Sequence, residues 1–114
     1  MKRLILAVSI ILIGWQAASA QTAEQRRNAL NHVAQASAIA DRCPAWKTDN
    51  VKAAIILTTF KIEIGKGEKD FNAMVEAYRE ARARIAEEDD AMVCALASSL
   101  YGPHGANVKG LMVQ

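Results

Sequence analysis

Two cysteines, Cys43 and Cys94, constrain the fold of this chain more than any other feature of its sequence. Cys43 stands directly before Pro44, where a first helical segment ends, and Cys94 lies in a short apolar segment, residues 91–101. In an exported domain two cysteines favour a disulfide, which would hold the intervening helices as one closed loop. The chain-entropy treatment of a loop of this span gives about 4 kcal/mol of stabilisation. Two buried free thiols are the alternative.

The N-terminus has the pattern of an export signal. Two basic residues precede an almost unbroken apolar run, residues 4–13, and Ala18 and Ala20 have the spacing that a signal peptidase requires. The apolar run is shorter than the roughly 20 residues that a membrane span needs. We therefore predict that residues 1–20 are a signal peptide cleaved after Ala20. The mature chain would then be periplasmic or secreted, with no stable membrane anchor after cleavage. An uncleaved N-terminal anchor is the alternative.

The charge balance changes once the signal is removed. The full chain has 14 Lys and Arg and 12 Asp and Glu, but Lys2 and Arg3 belong to the signal, so the mature chain has 12 of each. A net charge near zero removes the simplest case for binding nucleic acid or anionic membranes, because both attract basic proteins. We therefore expect no nucleic-acid partner.

The first predicted helix is rich in alanine. Thr22 and Gln25 have the spacing of a capping box at its start. Pro44 ends it at Cys43, because proline disfavours helical geometry in the residue before it. Alanine favours helix but buries little surface. We therefore expect this helix to pack closely against a neighbour rather than to anchor the core.

The second predicted helix covers residues 51–64. It follows a loop in which Thr48 or Asp49 is the expected N-cap, and Gly65 is the expected stop. Apolar side chains lie nearly all round this segment, which is typical of a buried helix. The sequence therefore predicts that residues 51–64 form the central helix of a bundle.

The third and last helices are separated by acidic residues. Residues 71–85 form the clearest amphipathic stripe of the chain, and the acids at 87–90 predict a break before a last helix at residues 91–101. Residues 102–114 contain three glycines and a proline, which predict an extended glycine-rich C-terminal tail. Leu111, Met112 and Val113 could fold back on the core. The expected fold is all-α, a small three- or four-helix bundle in residues 21–101, stapled by one disulfide.

The sequence has no pattern for catalysis or metal binding. His32 and His104 are the only histidines and lie far apart, and no ligand cluster has metal-binding spacing. Ser98 and Ser99 lie inside a predicted helix without a nucleophile elbow. We therefore predict that the chain is not an enzyme and uses no metal or cofactor.

Four aromatic or long apolar residues are the candidates for contact with a protein partner. Trp46 is the only tryptophan of the mature chain, and a core lid beside the disulfide is the favoured explanation of it. The stripe at residues 71–85 is likewise expected to face the core first and a partner second. Whichever part stays exposed would bind the partner through Trp46, Phe71, Met74 and Tyr78.

The acidic run Glu87, Glu88, Asp89 and Asp90 has three explanations. A calcium loop is the least favoured, because the alternating oxygen ligands and the central glycine of such a loop are missing. Acids at a helix N-terminus are stabilised by the helix dipole, so capping is the simplest one. The alternative is pH sensing, because adjacent carboxylates disfavour one another's ionisation. Acidification would then neutralise them early and loosen the last helix.

The overall layout resembles that of HdeA-type periplasmic acid-stress chaperones. The resemblance rests on the mature length, the export signal and two cysteines about fifty residues apart, Cys43 and Cys94, in a helical domain. Proteins of that family bury a dimer interface at neutral pH and expose it in acid. The resemblance therefore implies an acid-activated chaperone and a homodimer.

The main functional hypothesis is a non-catalytic exported protein that binds a protein partner or client. An acid-activated chaperone of the HdeA type is the alternative. A carrier of a small ligand inside the bundle is a third hypothesis.

Overall fold

The longest helix, α1, spans Ala23–Arg42 in the computed structural model, which describes residues 22–114. Thr22 and Gln25 begin it with the predicted capping box: each backbone N–H donates to the other residue's side-chain oxygen, both at 3.0 Å. The helix ends at Cys43, whose backbone is extended, as expected before a proline. Both predicted ends of this helix are confirmed.

The other elements of the described residues are short, except for one helix. A two-residue antiparallel ladder pairs β1 with β2, with Lys47 opposite Val113 and Thr48 opposite Met112. In chain order the elements are β1 (Lys47–Thr48), α2 (Asn50–Thr59), α3 (Phe71–Ile85), α4 (Asp90–Leu96), a π-helical turn (Ala97–Tyr101) and β2 (Met112–Val113). Residues 22–114 thus form a mostly helical domain of four α-helices with one disulfide, which confirms the predicted fold class. The predicted signal peptide, residues 1–20, lies outside the described residues.

Helix α1 is the centre of the domain. Four of its seven buried residues are alanines. Small side chains let neighbouring helices approach closely, so an alanine-rich helix can be covered on several sides. Helix α3 runs beside it in the same direction, because Arg26 contacts Asp70 near the start of both helices and Arg42 contacts Ile85 near the end of both.

Helix α2 does not take the central position that was predicted for residues 51–64. Only Ala53 is buried in it, while Val51 and Ile55 are 71% and 57% exposed. Apolar residues all round a helix show that several sides could be buried, but not how many neighbours exist to cover them. Here α2 packs against α1 on one side, and its apolar outer side faces solvent.

The end of α2 is also earlier than predicted. The helix stops at Thr59, and Lys61 takes the left-handed backbone conformation with φ 55°. The Lys61 N–H donates to the Thr58 carbonyl at 3.1 Å, and the Ile62 N–H donates to the Leu57 carbonyl at 2.8 Å. This pair of bonds is a Schellman motif, which satisfies the last carbonyls of a helix. The predicted stop at a glycine is wrong because a lysine fills the left-handed position.

The C-terminal segment is part of the core. Leu111 and Met112 are fully buried, which confirms that the end of the chain folds back. Backbone bonds hold the segment on the π-helical turn: the Asn107 and Val108 N–H groups both donate to the Leu100 carbonyl, at 3.0 and 3.2 Å. Residues 102–114 are therefore packed into the domain rather than appended to it as a tail.

The buried residues form a large and a small apolar cluster at opposite ends of α1. The large cluster surrounds the disulfide end and includes Val33, Ile39, Val93, Tyr101 and Leu111. The small cluster contains Ala29, Leu30 and Ile62. Within residues 22–114, none of the helices combines the length and the apolarity needed to cross a membrane.

Candidate functional site

The predicted disulfide is present and joins the end of α1 to α4. The Cα atoms of Cys43 and Cys94 are 5.4 Å apart, and the bridge closes a sequence separation of 51 residues. Disulfides persist mainly in oxidising compartments. The bridge therefore agrees with the compartment inferred from the sequence.

Trp46 lies beside the disulfide and against the large cluster. Its side chain is half-buried, and its backbone N–H donates to the Cys43 carbonyl at 3.1 Å. The ring lies so close to Gly102 that a Cβ there would stand 3.2 Å from it. This is the position of a core lid, and Trp46 is not brought together with the other three candidate partner-binding residues.

One side of α3, which we call the α3 face, forms a shallow groove of about 640 Å³. Two of the candidate partner-binding residues, Met74 and Tyr78, line it, whereas Phe71 lies half-buried in the first turn of the helix outside it. The lining residues belong to α3 and to its C-cap residue, and they are Met74, Val75, Tyr78, Arg79, Arg82, Ala83 and Ala86. The expected core contact of the stripe is made mainly by Ala81 and Ile85, which are buried.

Two arginines give the α3 face a positive charge. The Arg82 guanidinium lies over the Tyr78 ring, 5.8 Å from its centroid, in a cation–π contact. Arg79 is 3.9 Å from the Glu76 carboxylate, and both side chains are mostly exposed, so this ion pair is weak. The α3 face therefore combines apolar side chains with available positive charge.

A second apolar surface, which we call the α2 face, was missed by the sequence reasoning because residues 51–64 were assigned to the core. It is lined by Asn50, Val51, Ala54, Ile55, Thr58 and Thr59, and no charged side chain belongs to it. Val51 and Ile55 are the two most exposed large apolar residues of the described chain. Their spacing of four residues was visible in the sequence, but the side of the helix that faces solvent was not.

The acidic run acts at the start of α4. Asp89 is the N-cap and its carboxylate accepts from the Met92 N–H at 2.8 Å, so the capping explanation is confirmed. Asp90 pairs with Arg42 at 3.0 Å, although its side chain is 78% exposed. Glu87 and Glu88 are exposed as well. The pH-sensing role of Glu87, Glu88, Asp89 and Asp90 stays a prediction.

Two arginines of α1 hold its neighbours at either end. Arg42 donates to the Ile85 carbonyl at 2.7 Å and to the Glu88 carbonyl at 2.6 Å, besides its bonds to Asp90. Arg26 donates to the Phe60 and Lys61 carbonyls at 2.9 and 3.2 Å and pairs with Asp70 at 3.4 Å. Each arginine thus supplies positive charge to the carbonyls at the C-terminus of another helix.

A buried polar network joins α1 to the π-helical turn. Tyr101 is fully buried, and its hydroxyl donates to Gln35 Oε1 at 2.6 Å while lying 3.0 Å from His32 Nδ1. Because the hydroxyl proton is donated to Gln35, the second bond requires the His32 tautomer whose proton is on Nδ1. The His32 and Tyr101 rings also meet edge to face, with centroids 5.8 Å apart.

Burial moves both titratable groups of this network toward their neutral forms. Desolvation lowers the pKa of His32 from its ordinary 6.5. Desolvation raises the pKa of Tyr101 above its ordinary 10.0, against smaller opposing effects of a hydrogen bond to Asn107 and the charge of Arg84. His32 and Gln35 stand three residues apart on one side of an alanine-rich helix, which is the sequence signal that could have indicated a buried polar partner.

A third groove, of about 370 Å³, lies between α1, α3 and α4. Ile39, Ala81 and Ile85 form its buried floor, while Arg84 and Glu88 lie at its polar side. Its volume falls at the lower end of the range for small-molecule sites. Among residues 22–114, no group of three or more His, Cys, Asp or Glu side chains could hold a metal ion.

Comparison with known proteins finds no matching family model, no matching curated protein and no matching solved structure.

Proposed function

We propose that this chain is a non-catalytic exported protein that binds another protein through the α3 face. The observation that carries the proposal is the composition of that face, where Val75, 39% exposed, lies beside Tyr78 and the arginines 79 and 82. Tyrosine, methionine and arginine are the residue types enriched where proteins bind one another. Within residues 22–114 the Arg82 guanidinium contacts the Tyr78 ring, and this contact leaves its charge available to a partner.

The chemistry of the α3 face defines the partner. Apolar side chains along one helix suit an apolar stripe on a partner segment, and the arginines suit carboxylates beside that stripe. The partner segment is therefore acidic and amphipathic. Its association rate should fall as the salt concentration rises, because steering by exposed charges is screened.

Site-specific photocrosslinking in the cell of origin tests this proposal. A photoreactive phenylalanine analogue replaces Tyr78 in one variant and Asn72, an exposed residue of α3 outside the α3 face, in the matched control. We expect a distinct protein adduct at position 78 that is absent at position 72. Equal adducts at both positions, or none at position 78, would overturn the proposal, and so would an adduct only with a second copy of the chain.

The identified partner then permits a quantitative test. We expect Arg82→Ala to weaken binding by about tenfold or more, since truncating an interface arginine commonly costs over 1 kcal/mol. Arg27→Ala, which removes an exposed arginine of α1, is the matched control and should leave the affinity unchanged. Equal effects of the two variants would show that only the total positive charge matters.

The alternative function, an acid-activated chaperone, has one specific structural observation in its favour. Both arginine contacts that hold α1 include a carboxylate, Asp70 for Arg26 and Asp90 for Arg42. Protonation of the two carboxylates removes both ion pairs, and protonated Asp89 would cap α4 less well. Acid would thereby loosen α3 and α4 on α1 and expose the apolar clusters between them.

Near-UV circular dichroism and client aggregation, followed from about pH 7 to about pH 2, test this alternative. Trp46, packed beside the disulfide, is the reporter of fixed packing. Loss of the near-UV signal together with suppressed aggregation supports the chaperone. An unchanged spectrum without suppression rejects it and leaves the α3 face as the functional surface.

A further inference from the structure

We propose that the α2 face binds a second copy of the chain, with the two α2 helices antiparallel across a two-fold axis. Val51 and Ile55 are 71% and 57% exposed, which is unusual for large apolar residues at neighbouring positions of one helix face. Contiguous exposed apolar surface of this kind marks an interaction site rather than ordinary surface. This interface is separate from the α3 face and does not depend on the function proposed for it.

The charge pattern favours a second copy over an unrelated protein. Self-association brings identical surfaces together, so any charge on the surface meets its own kind. No charged side chain lines the α2 face, and identical α2 faces therefore meet without repulsion. The α3 face is the opposite case, since Arg79 and Arg82 would each approach arginines of the second copy.

The residue spacing defines the register. Val51, Ala54, Ile55 and Thr58 recur at intervals of three and four residues, which makes one continuous stripe along the helix. The middle of the stripe falls between Ala54 and Ile55. In an antiparallel pair centred there, Ala54 lies opposite Ile55 of the second copy close to the two-fold axis, and Val51 lies opposite Thr58 of the second copy. The small side chain of Ala54 allows the helices to approach closely at the axis.

The ends of the helix support the antiparallel direction. Asp49, whose carboxylate accepts from the Val51 and Lys52 N–H groups, stands at the N-terminus, and exposed Lys61 stands just after the C-terminus. Antiparallel pairing brings the acidic end of each helix to the basic end of the other, twice. It also aligns the two helix dipoles favourably, which parallel pairing would not.

Sedimentation equilibrium of the mature chain at concentrations from about 10 μM to about 1 mM tests the interface. We expect a monomer–dimer equilibrium, and we expect Ile55→Lys to weaken it by at least about tenfold. Residue 55 is exposed, so the variant should keep the wild-type circular dichroism spectrum and thermal midpoint. Val75→Lys, on the α3 face, is the matched control and should dimerise like the wild type.

Cysteine crosslinking tests the direction. Copies of residue 54 lie about 1.5 Å apart along the helix axis in the proposed pair, whereas copies of residue 58 are displaced by about 10 Å. Disulfides need Cα atoms within roughly 7 Å. Ala54→Cys should therefore crosslink two copies rapidly, and Thr58→Cys much more slowly. A monomeric wild type, an Ile55→Lys variant that still dimerises, a monomeric Val75→Lys control, or faster crosslinking at residue 58 than at residue 54 overturns the proposal.

Discussion

The same kind of arginine contact holds each end of α1, but the structure around the two ends is very different. At the end of the helix, Arg42 acts together with the Cys43–Cys94 disulfide and the large apolar cluster. At the start, Arg26 acts beside the small cluster without any covalent link. Local stability follows the number of buried contacts that must open. This domain therefore has a locked end, at Arg42 and the disulfide, and a loosely held end, at Arg26. Motion should concentrate at the loosely held end, where α2 and the first turns of α1 and α3 meet.

Removing the disulfide should have the largest effect on the difference in stability between the two ends of α1. We expect the double variant Cys43→Ser and Cys94→Ser to lose about 4 kcal/mol of unfolding free energy, because the open loop gains entropy in the unfolded chain. Denaturant titration of the variant, compared with the wild type in reducing and non-reducing buffer, measures the loss. The free energy of unfolding of such a domain is commonly about 5–15 kcal/mol, so the variant would lose a large part of its stability. An unchanged midpoint would contradict the assignment of the locked end.

Truncation of the two arginines compares the ends directly. Arg42→Ala should destabilise the domain by about 2–3 kcal/mol and Arg26→Ala by about 1–1.5 kcal/mol, since hydrogen bonds to charged groups contribute more than neutral ones. The larger effect follows from the shorter bonds of Arg42, 2.6 and 2.7 Å to two carbonyls against 2.9 and 3.2 Å for Arg26. Their side chains are similarly exposed, at 30% and 35%, so solvent screening does not separate them.

Thermal or denaturant unfolding measures both arginine variants. Arg27→Ala, which removes an exposed arginine next to Arg26, is the control and should change stability by less than about 0.5 kcal/mol. If Arg26→Ala and Arg42→Ala lost equal unfolding free energy, the two ends of α1 would be held equally, which would contradict the difference between the locked and the loosely held end.

Removing one hydroxyl from the core is the third test. Tyr101→Phe should cost about 1–2 kcal/mol, because it leaves His32 Nδ1 and Gln35 Oε1 without their partner at a half-buried site. Tyr78→Phe on the α3 face removes the same group from a tyrosine without such bonds in the described chain and should cost less than about 0.5 kcal/mol. Equal stabilities of the two variants would mean that the network contributes nothing to the locked end.

The sequence was a good guide where one local rule decides the outcome. The capping box at Thr22 and Gln25, the stop before Pro44 and the cap at Asp49 all depend on residues within three positions of each other. The disulfide was predictable because only one pairing of two cysteines exists. Local chemistry and pairing by elimination need no knowledge of the three-dimensional arrangement.

The sequence failed where the outcome depends on which neighbours are present. Apolar periodicity in residues 51–64 could not show that α1, with its small alanines, would occupy the centre and leave Val51 and Ile55 outside. A lysine in the left-handed position at 61 could not be preferred over the glycine at 65 on propensity alone. The exposure of the α2 face and the Tyr101 network could not be predicted for the same reason, because both depend on how elements far apart in the chain pack together.

Acidification should produce the smallest but most specific effect on the locked end. Burial lowers the pKa of His32 in the folded protein below the 6.5 of the unfolded chain, so the unfolded chain binds more protons between these two values. The stabilisation from neutral His32 is complete above about pH 6.5 and is lost as the pH falls through the folded-state pKa.

His32→Gln, which keeps an amide donor near Tyr101 but does not titrate, should lose less stability than the wild type between about pH 7.5 and about pH 5. Its control is His104→Gln, which removes an exposed histidine and should follow the wild-type curve. Parallel curves for His32→Gln and the wild type, or an NMR titration of the His32 ring centred above 6.5, would show that the imidazolium is accommodated beside Tyr101. The locked end would then be insensitive to protonation of His32, and an acid response would have to come from carboxylates, among them the Asp89 cap and those paired with Arg26 and Arg42.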